Sequence, residues 1–238
     1  MSEFSPEPFA GCRAYLEAHR REAHKTSPLS RPVITISREA GAGAVTIGQR
    51  VAELLNTHLE PGAPAWTVFD KNIVQRVLED HALPKTIAEF LPEDAHSGVA
   101  GAVEEMLGLH PSAWKLAEHT TETILHLATL GNAILIGRGA NLIASHIRPA
   151  LHIRLVAPLE DRVCALSEFH NLTLAEAATY AKKADQGRKR YVKRYFNADI
   201  SDPLNYTLTV NTGSMDHESI ARIIAEALAV VVPDPALA

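Results

Sequence analysis

Apolar residues along this chain alternate between two spacings, and the switches mark its elements. Short β-branched or alternating runs at 32–37 (PVITIS), 65–70 (AWTVFD), 132–137 (NAILIG), 150–157 (ALHIRLVA) and 205–211 (NYTLTVN) predict five strands. Between the runs the period lengthens. Residues 46–59 carry Ile47, Val51, Leu54 and Leu55 at helical spacing. Further helices are predicted over 71–83, about 112–130, the ANLIASHI stretch after the third strand, 158–170 with Pro158 in its first turn, 173–196 and 216–232. Thr173 and Glu176 stand at capping-box spacing, which fixes the start of the 173–196 helix. Residues 1–8 read as a tail, 9–25 as an appended helix, and the prolines of TSPLSRP as the linker that stops it.

Strands separated by helices predict an α/β fold, a parallel sheet with helices on both faces. Such sheets bind ligands beyond the carboxyl ends of their strands, which is where the notable motifs fall. Composition then narrows the partners. The 238 residues are 46% hydrophobic, enough for a substantial core. Formal charge is 23 − 28 = −5, so bulk electrostatics repels nucleic acid and anionic membranes, and an anionic ligand needs a local basic cluster. No apolar run reaches the roughly 18–20 residues of a membrane span, and the first residues do not follow the signal-peptide pattern. Cys12 and Cys164 lie far apart in no metal-like spacing. The expectation is a cytoplasmic protein with reduced thiols.

The stretch SREAGAGAVT, 37–46, follows the first strand and leads into a helix. Gly41 and Gly43, with Ala40, Ala42 and Ala44, leave a loop with almost no side-chain bulk. Backbone N–H groups there can approach an anion closely, at the positive end of the following helix. On these residues alone a tight strand-to-helix turn explains the loop equally well.

Six stretches change that balance: ITISREAGAGAVTIGQRVAELL, FDKNIVQRVL, ILIGRGANLI, LHIRLVAPLEDRVCAL, KKADQGRKRYVKRYF and YTLTVNTGSMDHESIARII. Their order and spacing, over roughly 32–231, resemble the cytidylate kinase-like family, a divergent branch of the P-loop nucleoside monophosphate kinases. The resemblance implies a three-layer P-loop NTPase-like fold with a five-stranded parallel sheet over 31–238. It further implies a helical region at about 84–130 that holds a nucleoside monophosphate, an Arg-rich lid at about 170–200, and ATP with Mg²⁺ as the phosphoryl source.

In the pattern G-x-x-x-x-G-K-[ST], Gly43 takes the second glycine, while Arg38, Ala44 and Val45 replace the first glycine, the lysine and the hydroxyl residue. The family resembled also lacks the lysine, but usually has an arginine where this chain has Val45. Residues 39–46 (Glu39, Ala40, Gly41, Ala42, Gly43, Ala44, Val45 and Thr46) are the expected phosphate cradle, with Thr46 as the hydroxyl for the metal. Arg38 is the expected compensating cation, because a guanidinium grips phosphate bidentately.

The remaining motifs each carry two readings. Asp70 and Lys71 match an Asp-Lys at the mouth of the monophosphate pocket, and Asp70 also suits a helix N-cap. Arg138 lies in a Gly-Arg-Gly that resembles the Gly-Arg-Asp of cytidylate kinases; it is a ligand residue, or pairs with Asp70 or Glu39. Gly139 in place of the aspartate puts cytosine selectivity in doubt. In the basic run 182–194, Arg188 and Arg194 are the expected lid cations, with Asp185 orienting one of them, unless the run is only a solvated face. Asn211, Thr212 and Gly213 either meet the base or make a turn. His119, Glu122 and His126 share a helical face without a fourth metal ligand. The leading expectation is a phosphotransferase acting on a nucleotide or small phosphate-bearing substrate; the competing ones are a nucleotide- or anion-binding regulator without catalysis, and an assembly protein that forms a homodimer through the N-terminal helix.

Overall fold

The structure, a computed structural model, describes residues 31–59, 63–70 and 113–232. The tail and appended helix of 1–30, the predicted helix 71–83 with Lys71, and most of the 84–130 region lie outside those residues. Five strands are described: β1 (Val33–Arg38), β2 (Thr67–Phe69), β3 (Ala133–Ile136), β4 (Ala150–Val156) and β5 (Leu208–Asn211). They form one parallel sheet in the order β2-β3-β1-β4-β5. The helices are α1 (Ala44–Asn56), α2 (Ala113–Leu130), α3 (Ala140–Ile143), α4 (Leu159–His170), α5 (Leu174–Phe196) and α6 (His217–Val231).

One face of the sheet is fully apolar. Ile34, Ile36, Ile134, Ile136, Leu151, Ile153 and Leu155 pack there against Ile47 and Val51 of α1 and Ile220, Ile224 and Leu228 of α6. Each such side chain contributes about 1.5–3 kcal/mol through removal from water. The opposite face is divided. Over β2, β3 and β1 it is closed by Phe69, Leu135, Ile124 and Leu127. Towards β4 it becomes polar, because Thr35 and Ser37 lie beside His152 and Arg154 in register. A polar patch inside a sheet is costly unless its groups are paired, so its residues return below.

Three boundaries differ from the sequence reading. Helix α1 begins at Ala44 rather than Thr46, because Gly43 turns the chain at φ +73 and no side chain caps the helix. The predicted ANLIASHI helix stops at Ile143; Ser145 and Ile147 instead make short-range bonds to Leu142 and Ala144 ahead of Pro149. The residue before a proline is pushed out of helical geometry. Strand β5 starts at Leu208, since Pro203–Asn205 forms a 3₁₀ turn capped by Asp202, whose carboxylate accepts from Leu204 N–H at 2.9 Å.

Candidate nucleotide and phosphate site

The loop between β1 and α1 is held open by bonds at its entry. Glu39 N–H donates to Leu155 C=O and Ala42 N–H to Glu39 C=O. Ala40 N–H donates to Asp185 Oδ1 of α5 at 2.7 Å. The amides of Gly41, Gly43, Ala44, Val45 and Thr46 have no partner among the described residues. Successive unpaired N–H groups at a helix start form a concave anion nest, with the helix dipole behind them. Gly41 and Gly43 have φ +83 and +73, and neither has room for a side chain. A Cβ on Gly41 would lie 2.6 Å from the Arg162 carbonyl; one on Gly43 would lie 2.6 Å from His217 Nε2. The glycines therefore serve a left-handed backbone and close approach together.

Arg162 of α4 braces this loop. It is buried, its Nη1 donates to Ala40 C=O at 3.2 Å and to Asp185 Oδ2 at 2.8 Å, and its Nε lies 3.3 Å from Glu39 Oε2. Arg188 Nη1 reaches the other Asp185 oxygen at 3.0 Å. Asp185 thus joins the loop backbone, α4 and α5 at one carboxylate. It orients Arg188, as expected, and Arg162, which the sequence reading missed. The contacts of Arg162 join segments far apart in the sequence, so no local pattern marks it.

A small pocket lies at the carboxyl edge of β1 and β3, and Ser37, Arg38, Arg138, Asn141, Arg188 and Tyr191 contribute to its lining. Gly137, Arg138 and Gly139 have φ +85, +55 and +68 in succession. A non-glycine residue held in that region stores strain, which clusters at functional sites. The Arg38 guanidinium covers the space a side chain at Gly137 would fill. Arg138 is buried, with Cζ 5.8 Å from the Tyr191 ring. At Gly139 a Cβ would lie 2.5 Å from the Phe196 ring, so an aromatic edge fills the space a side chain there would need.

The structure therefore brings Arg38, Arg138 and Arg188 into one pocket. Glu39, one of the two partners considered for Arg138, pairs with Arg162 instead. Arg194 is exposed, set over the Tyr195 ring at 5.7 Å, and is not part of the pocket lining. Asp70 follows β2, half-buried. Thr46 lies exposed in the first turn of α1, beside Val45 at 43% exposure. Asn211, Thr212 and Gly213 form an ordered turn: Asn211 Oδ1 accepts from Gly213 N–H at 3.0 Å, and Thr212 N–H donates to Val156 C=O. His217, unremarked in the sequence, lies against Gly43 at the end of this turn. Among the described residues no three His, Cys, Asp or Glu side chains gather as a metal site, and no helix is long and apolar enough to cross a membrane. The side chain of His119 and all of Cys12 lie outside the described residues, and Cys164 is an exposed free thiol.

The sequence profile of the cytidylate kinase-like family matches residues 33–214, from β1 through the turn after β5. This chain belongs to that family. It is 25% identical over 203 residues to the cytidylate kinase of Pyrococcus horikoshii, covering 84% of this chain and 90% of that one. It is also 30% identical over 115 residues to the uronate isomerase of Corynebacterium glutamicum, where it spans only 22% of the relative's length. An uncharacterized protein from Eubacterium ventriosum has the same fold, with a TM-score of 0.62 at 17% identity, covering 84% of this chain and 99% of that one. With the sheet order and the loop after β1, the architecture is a P-loop kinase fold.

Proposed function

We propose that the protein transfers the γ-phosphoryl group of ATP to a nucleoside monophosphate or a similar small phosphate-bearing acceptor. The observation that carries this reading is the adjacency of two differently built anion sites. One is the nest of unpaired amides of Gly41 and 43–46; the other is the pocket with Arg38, Arg138 and Arg188. Phosphoryl transfer is governed by positioning and charge neutralisation, and amide nests and guanidinium clusters supply both. The nest fits a polyphosphate, since its glycines leave the backbone bare. Mg²⁺ would supply further neutralisation of the phosphates when bound, and Thr46 is the loop hydroxyl that would hold it.

In this reading the nest holds the donor phosphates. Arg38 and Arg138 hold the acceptor phosphate, and Arg188 bridges the two, tethered by Asp185. No general base is required, because an acceptor phosphate is already ionised. The aromatic edge at Gly139 argues against reading a cytosine amine by a carboxylate there. A coupled assay with ATP and a panel of nucleoside monophosphates tests the proposal. Turnover is expected with at least one, and Arg138→Ala should lower kcat/KM by about 10²–10³. ATP binding without turnover on any acceptor would replace this reading with that of a non-catalytic nucleotide-binding regulator. That second reading draws on Ala44, Val45 and Gly139, which stand where a lysine, an arginine and an aspartate would otherwise supply charge.

A further inference from the structure

Behind the pocket lies a charge that the site described so far does not use. Arg154 on β4 is 8% exposed, and no carboxylate among the described residues pairs with it. Its Nη1 donates to Ser37 Oγ at 2.8 Å, across the β1–β4 register, and its Cζ stands 5.9 Å from the Tyr206 ring. A buried guanidinium supported by one hydroxyl and one ring is expensive. Its single hydrogen-bonding side-chain partner, Ser37, lines the pocket.

The hydroxyl geometry sets what Ser37 can do. Arginine only donates, so the Ser37 oxygen is the acceptor in that bond and its hydrogen points elsewhere. The other neighbour is the Tyr206 hydroxyl, 3.3 Å away, which itself donates to the Ile200 carbonyl at 2.8 Å. That leaves the serine hydrogen with a long, weak contact or with the pocket. We propose that Ser37 is a substrate contact, donating its hydroxyl to an anionic phosphate oxygen of the acceptor, and that Arg154 is the positioning residue that holds it as a donor. A charge-assisted bond to a phosphate oxygen is shorter and stronger than the phenol contact it replaces. The bound anion also brings negative charge one hydroxyl away from Arg154. This inference rests on the pocket being the acceptor site.

Calorimetry on the full chain, with the nest first saturated by a non-hydrolysable ATP analogue, then titrated with inorganic phosphate as probe, tests it. Wild-type protein should bind phosphate. Ser37→Ala should weaken that binding about tenfold or more, Ser37→Thr should retain most of it, and affinity for the ATP analogue should not change. Arg154→Met should weaken phosphate to a similar degree, but have little further effect in a Ser37→Ala background. A purely structural Arg154 would instead lower both affinities and act additively with Ser37→Ala. Phosphate affinity equal to wild type in Ser37→Ala overturns the contact. Absence of phosphate binding in the wild type overturns the acceptor pocket itself, and with it this inference. If Arg154→Met does not fold, the two serine variants decide alone.

Discussion

Gly139 shows how tightly one backbone position can be fixed. Its φ of +68 and the ring edge of Phe196 both exclude a side chain. Gly139→Asp, which restores the family aspartate, should therefore lower stability by about 2 kcal/mol or more. In a Phe196→Ala background the same substitution should cost less, a coupling that paired thermal melts will show. His152 gives a pH signature. Burial, then the nearby Arg148 charge, lowers its pKa from the ordinary 6.5 to about 4. One ring nitrogen meets Thr35 Oγ1 at 2.8 Å and the other is buried without a partner among the described residues. Between pH 6.5 and 4 the unfolded chain binds the extra proton, so stability rises with pH across that window and is lost as pH falls. The full effect is at most about 3 kcal/mol, less the share that solvent screens. His152→Asn, which keeps a partner for Thr35, should flatten the melting temperature between pH 4 and 6.5. Neither Arg162, His217 nor Tyr206 stood out in the sequence, since each acts through contacts spanning distant segments. Arg38 and Arg138 did, because each follows a strand.

At the scale of elements, the chain's local chemistry made the boundaries legible where a side chain supplies the cap. The capping box is in place: Thr173 N–H donates to Glu176 Oε2 at 2.9 Å, and Glu176 N–H donates back to Thr173 Oγ1 at 3.3 Å. The Thr173 hydroxyl, which donates to Glu176 Oε2 at 2.6 Å, and then the Thr173 N–H hold the Glu176 carboxyl below its usual pKa. Thr173→Ala should cost about 1 kcal/mol, read by chemical denaturation. Where a single turn sets the boundary the sequence misled, even at Asp202, whose side chain caps the turn ahead of β5. Helix α1 starts two residues early on a glycine cap, and β5 gives way to a 3₁₀ turn. Neither event leaves a periodicity to read. The alternating spacing of the five strands and the length of α5 were plain because each buries a continuous face.

For the whole molecule, the order of strands and helices was enough to place the site at the carboxyl edge, but not to say which arginines meet there. That depends on α5 crossing the loop, and on Asp185 choosing Arg162 and Arg188 over Arg194. Asp185→Asn removes two charge pairs of this junction, to Arg162 and Arg188, and leaves Arg162–Glu39, while keeping a hydrogen-bond acceptor for Ala40 N–H. In the proposed reaction, steady-state kinetics with both substrates varied should show mutual dependence of the two KM values in the wild type, and each KM independent of the other substrate in Asp185→Asn. The reason is thermodynamic. Asp185 spends one oxygen on both the phosphate loop and Arg188. An acceptor that draws Arg188 away loosens its hold on that oxygen and changes the loop's backbone for the donor. Linkage makes the effect reciprocal: whatever factor the acceptor applies to donor affinity, the donor must apply to the acceptor. In the proposed reaction, a single carboxylate shared between two anion sites would make each ligand an effector of the other.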